Sequence, residues 1–178
     1  ADTAAGALSV TLVNQWERAL RRLERLAAVT VDVATADIGG MGLAVLLCAD
    51  YRIVADTVHL RLSHPGQPML PGMVLHRLSN QIGVPLARRM AVFDRRMSAQ
   101  DALKHGLVDE ISPHPGAAMA NVLRELQRQD MTDLALRRRL VLEASALSYE
   151  DALGTHLAAC DRVLRQASGR GQAQSHGA

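Results

Sequence analysis

Residues 28–50 read AVTVDVATADIGGMGLAVLLCAD and constrain the fold more than any other stretch. Val29, Val31 and Val33 alternate with polar or small residues, the pattern of a strand. Gly39, Gly40 and Gly42 follow at once, and Leu43 to Ala49 is then apolar on every side. A helix without a polar face must be buried. A strand, a glycine turn and a buried helix therefore have to sit inside a larger core. The chain's 178 residues suffice for one domain with such a core.

The flanking segments supply the rest. Residues 11–27 form an amphipathic helix, with Leu12, Val13, Trp16, Leu20, Leu23 and Leu26 on one face. Glu17, Arg18, Arg21, Arg22, Glu24 and Arg25 are expected on the solvated face. YRIVA (51–55) and VHLRL (58–62) are short strands. SHPGQPMLPG (63–72) is a loop of restricted backbone freedom. Helices are expected from about 73 to 81, ending near Gly83, and from Pro85 to about Phe93. In MSAQDALKHGLVDEIS (97–112), Ser98 is an N-cap and Asp101 imitates a capping box. Gly106 ends the helix and LVDEI makes a strand. Helices at about 115–129, 132–147 and 149–167 follow. The last has an apolar face of Leu153, Leu157, Cys160 and Leu164, and residues 168–178 are expected to be disordered.

Composition excludes several classes of function. One Trp, two Tyr and one Phe leave almost no stacking platform for bases. Nineteen Arg and the single Lys104 are interspersed with acids, as on solvated helix faces. Cys48 and Cys160 fall in apolar helical patterns and are expected as small core residues. They have no metal-ligand spacing, and no bound metal is expected. No signal peptide or membrane-length apolar run occurs, so a cytoplasmic protein without a membrane partner is expected.

The glycines themselves can do limited chemistry. G-G-M-G lacks the spacing of a dinucleotide fingerprint, the Lys of a P-loop, and the Ser or Cys of a nucleophile elbow. Two readings stand. The turn serves backbone geometry alone, or its free N–H groups stabilise an oxyanion.

QWERALRRLERLAAVTVDVATADIGGMGLAVLLCADYRIVA, then MLPGMVLHRLSNQIG, then RRMSAQDALKHGLVDEI resemble the crotonase superfamily, the enoyl-CoA hydratases and isomerases, in its order and spacing. The resemblance implies an α/β fold, a crotonase-like spiral of ββα units with a C-terminal helical region. The family's first strands and helices, which precede the helix at 11–27, are expected to be missing or shortened. It implies a core over 1–114, a helical trimerisation region over 115–167 and a tail over 168–178. It implies an acyl-CoA ligand, with coenzyme A as part of the substrate and no other cofactor. In the family two backbone N–H groups hold the thioester carbonyl, and one falls here on Met41. Gly40, Gly42, Ala44, Pro71 and Gly72 then line the substrate.

Both of the family's glutamates are replaced. The first position is Ala44, two residues beyond the turn, and the second, counted without gaps, is His64. Hydration needs a positioned acid and base, so ordinary enoyl-CoA hydration is not expected. His64 becomes the candidate for proton transfer. His59 is expected to be structural, Asp37 to orient the turn, and His76 to be exposed. LVNQWERALRRLERL and LEASALSYEDALGTHLAACDRVLRQ further resemble the crotonase-like members of dihydroxyphenylglycine biosynthesis. These work beside a type III polyketide synthase and promote dehydration and aromatisation to 3,5-dihydroxyphenylacetyl-CoA. That resemblance implies a lyase or isomerase forming a homotrimer or hexamer, with the synthase as partner. The alternatives are a non-catalytic accessory subunit of that synthase and a hydratase or isomerase of other acyl-CoA substrates. Nucleic acid is not an expected partner.

Overall fold

The computed structural model describes residues 9–63, 72–144 and 146–175, with side chains as far as residue 165. It divides into two compact units, 1–129 and 130–178.

The first unit opens with α1 (Val10–Glu24), capped by Ser9, whose hydroxyl accepts from the Leu12 N–H at 3.2 Å. Then come β1 (Val31–Ala34), α2 (Met41–Leu46), β2 (Tyr51–Val54) and β3 (His59–Leu60). They are followed by α3 (Val74–Ile82), α4 (Val84–Phe93), β4 (Met97–Ser98), α5 (Ala99–Lys104), β5 (Glu110–Ile111) and α6 (Pro115–Leu126). A parallel sheet runs in the order β1-β2-β5, with Val31 beside Tyr51 and Ile53 beside Glu110. β3 and β4 form a separate antiparallel pair, His59 opposite Ser98.

β2 is central, so Ile53 and Val54 are fully buried, as parallel strands covered on both faces must be. Leu43 and Leu46 of α2, Leu60, Leu78 and Leu107 complete the centre of the core. The run that is apolar all round thus lies where its composition requires.

Arg52 staples the sheet to α2. Its guanidinium donates to the carbonyls of Leu47, Ala49 and Leu107 at 3.0–3.2 Å, and its N–H donates to Asp109 Oδ2 at 2.8 Å. Asp50 accepts from the Thr30 N–H and hydroxyl at 2.7 and 2.8 Å. The charged residues of CADYRIVA and GLVDEI therefore join strand ends.

Local punctuation follows the sequence closely. Ser98 Oγ accepts from the Asp101 N–H at 3.1 Å. The reciprocal bond differs from a capping box. Asp101, one carbon shorter than Glu, accepts from the Ser98 hydroxyl at 2.8 Å instead of reaching the backbone. Gly106 follows α5 with φ +68°, and Gly83, φ +77°, separates α3 from α4.

The second unit holds α7 (Met131–Ala144) and α8 (Tyr149–Ser175), which pack on each other. Ser148 Oγ caps α8 through the Asp151 N–H at 3.2 Å.

α6 packs on β1 and β2 and lies in their compact unit, which ends at Gln129. Several expectations about single elements and side chains are corrected. α8 continues to Ser175, past residue 167, because extending an existing helix needs no new nucleus; residues 176–178 lie outside the described residues. Cys160 is exposed, since the apolar face of α8 is not covered within its unit: Leu157 is 59% and Leu164 66% exposed. Leu12 and Leu26 are also exposed, at 45% and 46%, because the buried side of α1 is a narrow strip around Leu20. Among the described residues, no helix is long and apolar enough to cross a membrane.

Candidate functional site

The glycine turn is laced to the β3 segment. The Ile38 N–H donates to the His59 carbonyl at 2.9 Å, the Arg61 N–H to Ile38 at 2.9 Å, and the Gly40 N–H to Leu62 at 3.1 Å. Asp37 completes the seam by accepting from the His59 N–H at 2.8 Å. That backbone bond holds the Asp37 carboxyl below its ordinary range. The His59 ring is bound to the Thr57 carbonyl at 3.1 Å, beside Asp37 at 3.5 Å. Asp37 and His59 thus both fix the turn.

Gly40 adopts φ +54° and ψ −121°, a conformation open chiefly to glycine, and nothing lies within 4 Å of where a Cβ would stand. Its requirement is therefore for main-chain direction alone. Gly42 is tighter, since a Cβ there would meet Ile38 Cγ2 at 3.3 Å. Met41 is the first residue of α2 and is half exposed. Among the described residues, nothing accepts its N–H. A free backbone donor thus stands on a turn whose other contacts hold it rigid.

Ala44 is 1% exposed and packs in the core, with its carbonyl accepting from Cys48 Sγ at 3.1 Å. Burial pushes the Cys48 thiol up to about 12, so it is an unreactive core group. His64 and Pro71 lie outside the described residues.

Beyond the loop, Gly72 has φ +39°, and a Cβ on it would meet Glu17 Oε1 at 3.0 Å. The same oxygen accepts from the Met73 N–H at 2.9 Å. Glu17 Oε2 binds Arg77 Nη1 at 2.8 Å, and Glu24 Oε1 binds Arg77 Nε at 2.6 Å. Arg77 is 8% exposed, the only buried charged side chain among the described residues. Burial opposes its charge, but the Glu24 and Glu17 carboxylates more than offset this and raise its pKa. This clamp from α1 to α3 overturns the assignment of Glu17 and Glu24 to the solvated face. Its signal was present in the sequence. Glu17 and Glu24 are three and four residues from Leu20, hence beside it on the helix.

His76 is exposed and within 3.2 Å of Asn80 Nδ2. Among the described residues, no group of three His, Cys, Asp or Glu could hold a metal ion.

The architecture has close counterparts. It matches an enoyl-CoA hydratase/isomerase from Cupriavidus metallidurans with TM-score 0.80 at 16% identity, over 86% of this chain and 59% of that one. It matches an enoyl-CoA hydratase from Bacillus anthracis with TM-score 0.78 at 22% identity, over 90% and 65%. The fold is thus the crotonase-like α/β fold, and the chain spans about three-fifths of the length of these structures. In sequence, the enoyl-CoA hydratase/isomerase family matches residues 5–174. An enoyl-CoA hydratase of Amycolatopsis orientalis is 41% identical over 159 residues, 89% of this chain and 73% of the relative. The chain belongs to the enoyl-CoA hydratase/isomerase family.

Proposed function

We propose that the protein binds an acyl-CoA thioester at the glycine turn and stabilises its enolate through the Met41 N–H. The observation that carries this reading is that free N–H, held on a turn bonded to β3 on one side and opening α2 on the other. A fixed donor aimed at developing negative charge lowers the barrier to enolate formation. Gly40 and Gly42 hold the donor in place, and Pro71 and Gly72 border the acyl group.

Ala44 narrows the chemistry. Without a carboxylate there, adding water across a double bond has lost one of its two proton-transfer groups. Loss of water is the reverse of that addition and needs the same two proton transfers, so a single group has to serve both. His64 takes the proton next to the thioester, leaving an enolate, and returns it to the β-hydroxyl, which departs as water. We assign both transfers to His64 on its place in the sequence.

The reaction proposed is dehydration and aromatisation of a CoA-tethered polyketide to 3,5-dihydroxyphenylacetyl-CoA, beside a type III polyketide synthase, in the cytoplasm. The C-terminal resemblance and the missing glutamates support it. The exposed apolar face of α8 supports a homotrimer or hexamer.

Met41→Pro tests the donor. Proline is well tolerated at a helix's first position, and among the described residues the Met41 N–H has no partner to lose. Turnover should fall about 10²–10³-fold, the scale of one oxyanion donor. Met41→Ala, which keeps the N–H, should retain most of it. Equal turnover in both variants would refute the oxyanion role. His64→Ala is assayed with the synthase for aromatic product. Undiminished yield with intact association would identify a non-catalytic accessory subunit.

A further inference from the structure

The clamp on Arg77 has a second effect, on the opposite side of α1. Glu17 and Glu24, the only acidic residues of the helix, both point inward to Arg77. The outward arc keeps Arg18, Arg21, Arg22 and Arg25, all exposed, and among the described residues none of the four forms an ion pair. Their spacing of three and four residues puts them on one stripe, continued by Asn14 and Gln15. A helix whose whole sequence mixes both signs thus presents a surface of one sign.

Beside this stripe runs an apolar line. Leu12 and Ala19 are exposed seven residues apart, and Leu26, just past the helix, is exposed after a further seven. A heptad spacing keeps side chains on one seam of a helix, and charges flanking such a seam select the partner. We propose that the outer face of α1 docks an amphipathic helix of a partner protein, with an apolar ridge along Leu12–Ala19 and an acidic strip against the arginines.

The chemistry favours an acidic protein helix over nucleic acid. Guanidinium forks pair with carboxylates in two parallel hydrogen bonds. The stripe carries no aromatic side chain on which a base could stack. An apolar ridge adds nothing to phosphate binding but completes a helix–helix seam. This surface is separate from the glycine turn and does not depend on the reading given to that turn.

The test uses the full chain and a fluorescein-labelled synthetic peptide of leucine heptads flanked by glutamates, followed by anisotropy. R18Q/R21Q/R22Q/R25Q should weaken binding about tenfold or more, and raised salt should weaken wild-type binding toward the same level. L12Q, which keeps every charge, should also weaken it, and circular dichroism melts of the variants should match the wild type. Affinity unchanged in either variant would overturn the proposal. So would binding of duplex RNA or phosphatidylserine vesicles that is lost in the arginine variant while the acidic peptide does not bind.

Discussion

Gly40 and Gly72 are both glycines at positive φ beside the candidate site, yet they are needed for opposite reasons. Around Gly40 there is open space, and the turn consists of main-chain bonds to β3. Against Gly72 stands a carboxylate that is already committed to Met73 and Arg77. The first turn presents a main-chain donor and is braced from outside by Asp37. The second buries charge to fix where α3 begins. The charged side chains around these two turns, Glu17, Asp37 and Arg77, are therefore structural, and the donor of the proposed site belongs to the backbone.

The sharpest way to break this contrast is Arg77→Met. It strands two largely buried carboxylates, and a loss of about 3 kcal/mol is expected in urea unfolding. A value near zero would mean that the clamp is dispensable. Next come the glycines. Gly72→Ala and Gly40→Ala should each cost about 2 kcal/mol through positive-φ strain. The cause differs, and a double-mutant cycle shows it. Glu17→Gln should couple to Gly72→Ala, whose Cβ displaces that side chain, and should add independently to Gly40→Ala. Coupling at both sites would erase the distinction.

The smallest expected effect is at Asp37. Its carboxyl pKa is lowered by the His59 N–H, so its contribution is present above the unfolded value of about 3.9 and is lost as pH falls through the folded one. Asp37→Asn should therefore flatten the acid limb of the stability profile and leave the limb above neutrality unchanged. An unchanged acid limb would remove Asp37 from the turn's support.

Legibility followed the range of the interaction. Ser98, Gly83 and Gly106 were readable because caps and left-handed turns are set by a few neighbouring residues. The buried α2 was readable because its composition leaves no polar face. Glu17 and Glu24 were misplaced because their partner is 60 and 53 residues away, respectively; their positions beside Leu20 allowed an inward turn, but nothing local to the helix supplies the cation that rewards it. Leu12 and Leu26 were misplaced because periodicity gives the direction of the buried strip but not its width. At the candidate site, Asp37 and His59 could be assigned supporting roles from their positions, whereas the bonding of the Met41 N–H required coordinates.

The position of β2 also has a consequence during synthesis. β1 precedes it by few residues, but β5 pairs on its other side only once Glu110 and Ile111 have been made. The Arg52 guanidinium likewise waits 55 residues for the Leu107 carbonyl. A nascent chain thus carries Ile53 and Val54 with one edge unpaired until residues 55–109 have been made. Such an edge can recruit a neighbouring chain until its own partner arrives. Slow translation between residues 55 and 110 should therefore lower the yield of folded protein more than slow translation after it.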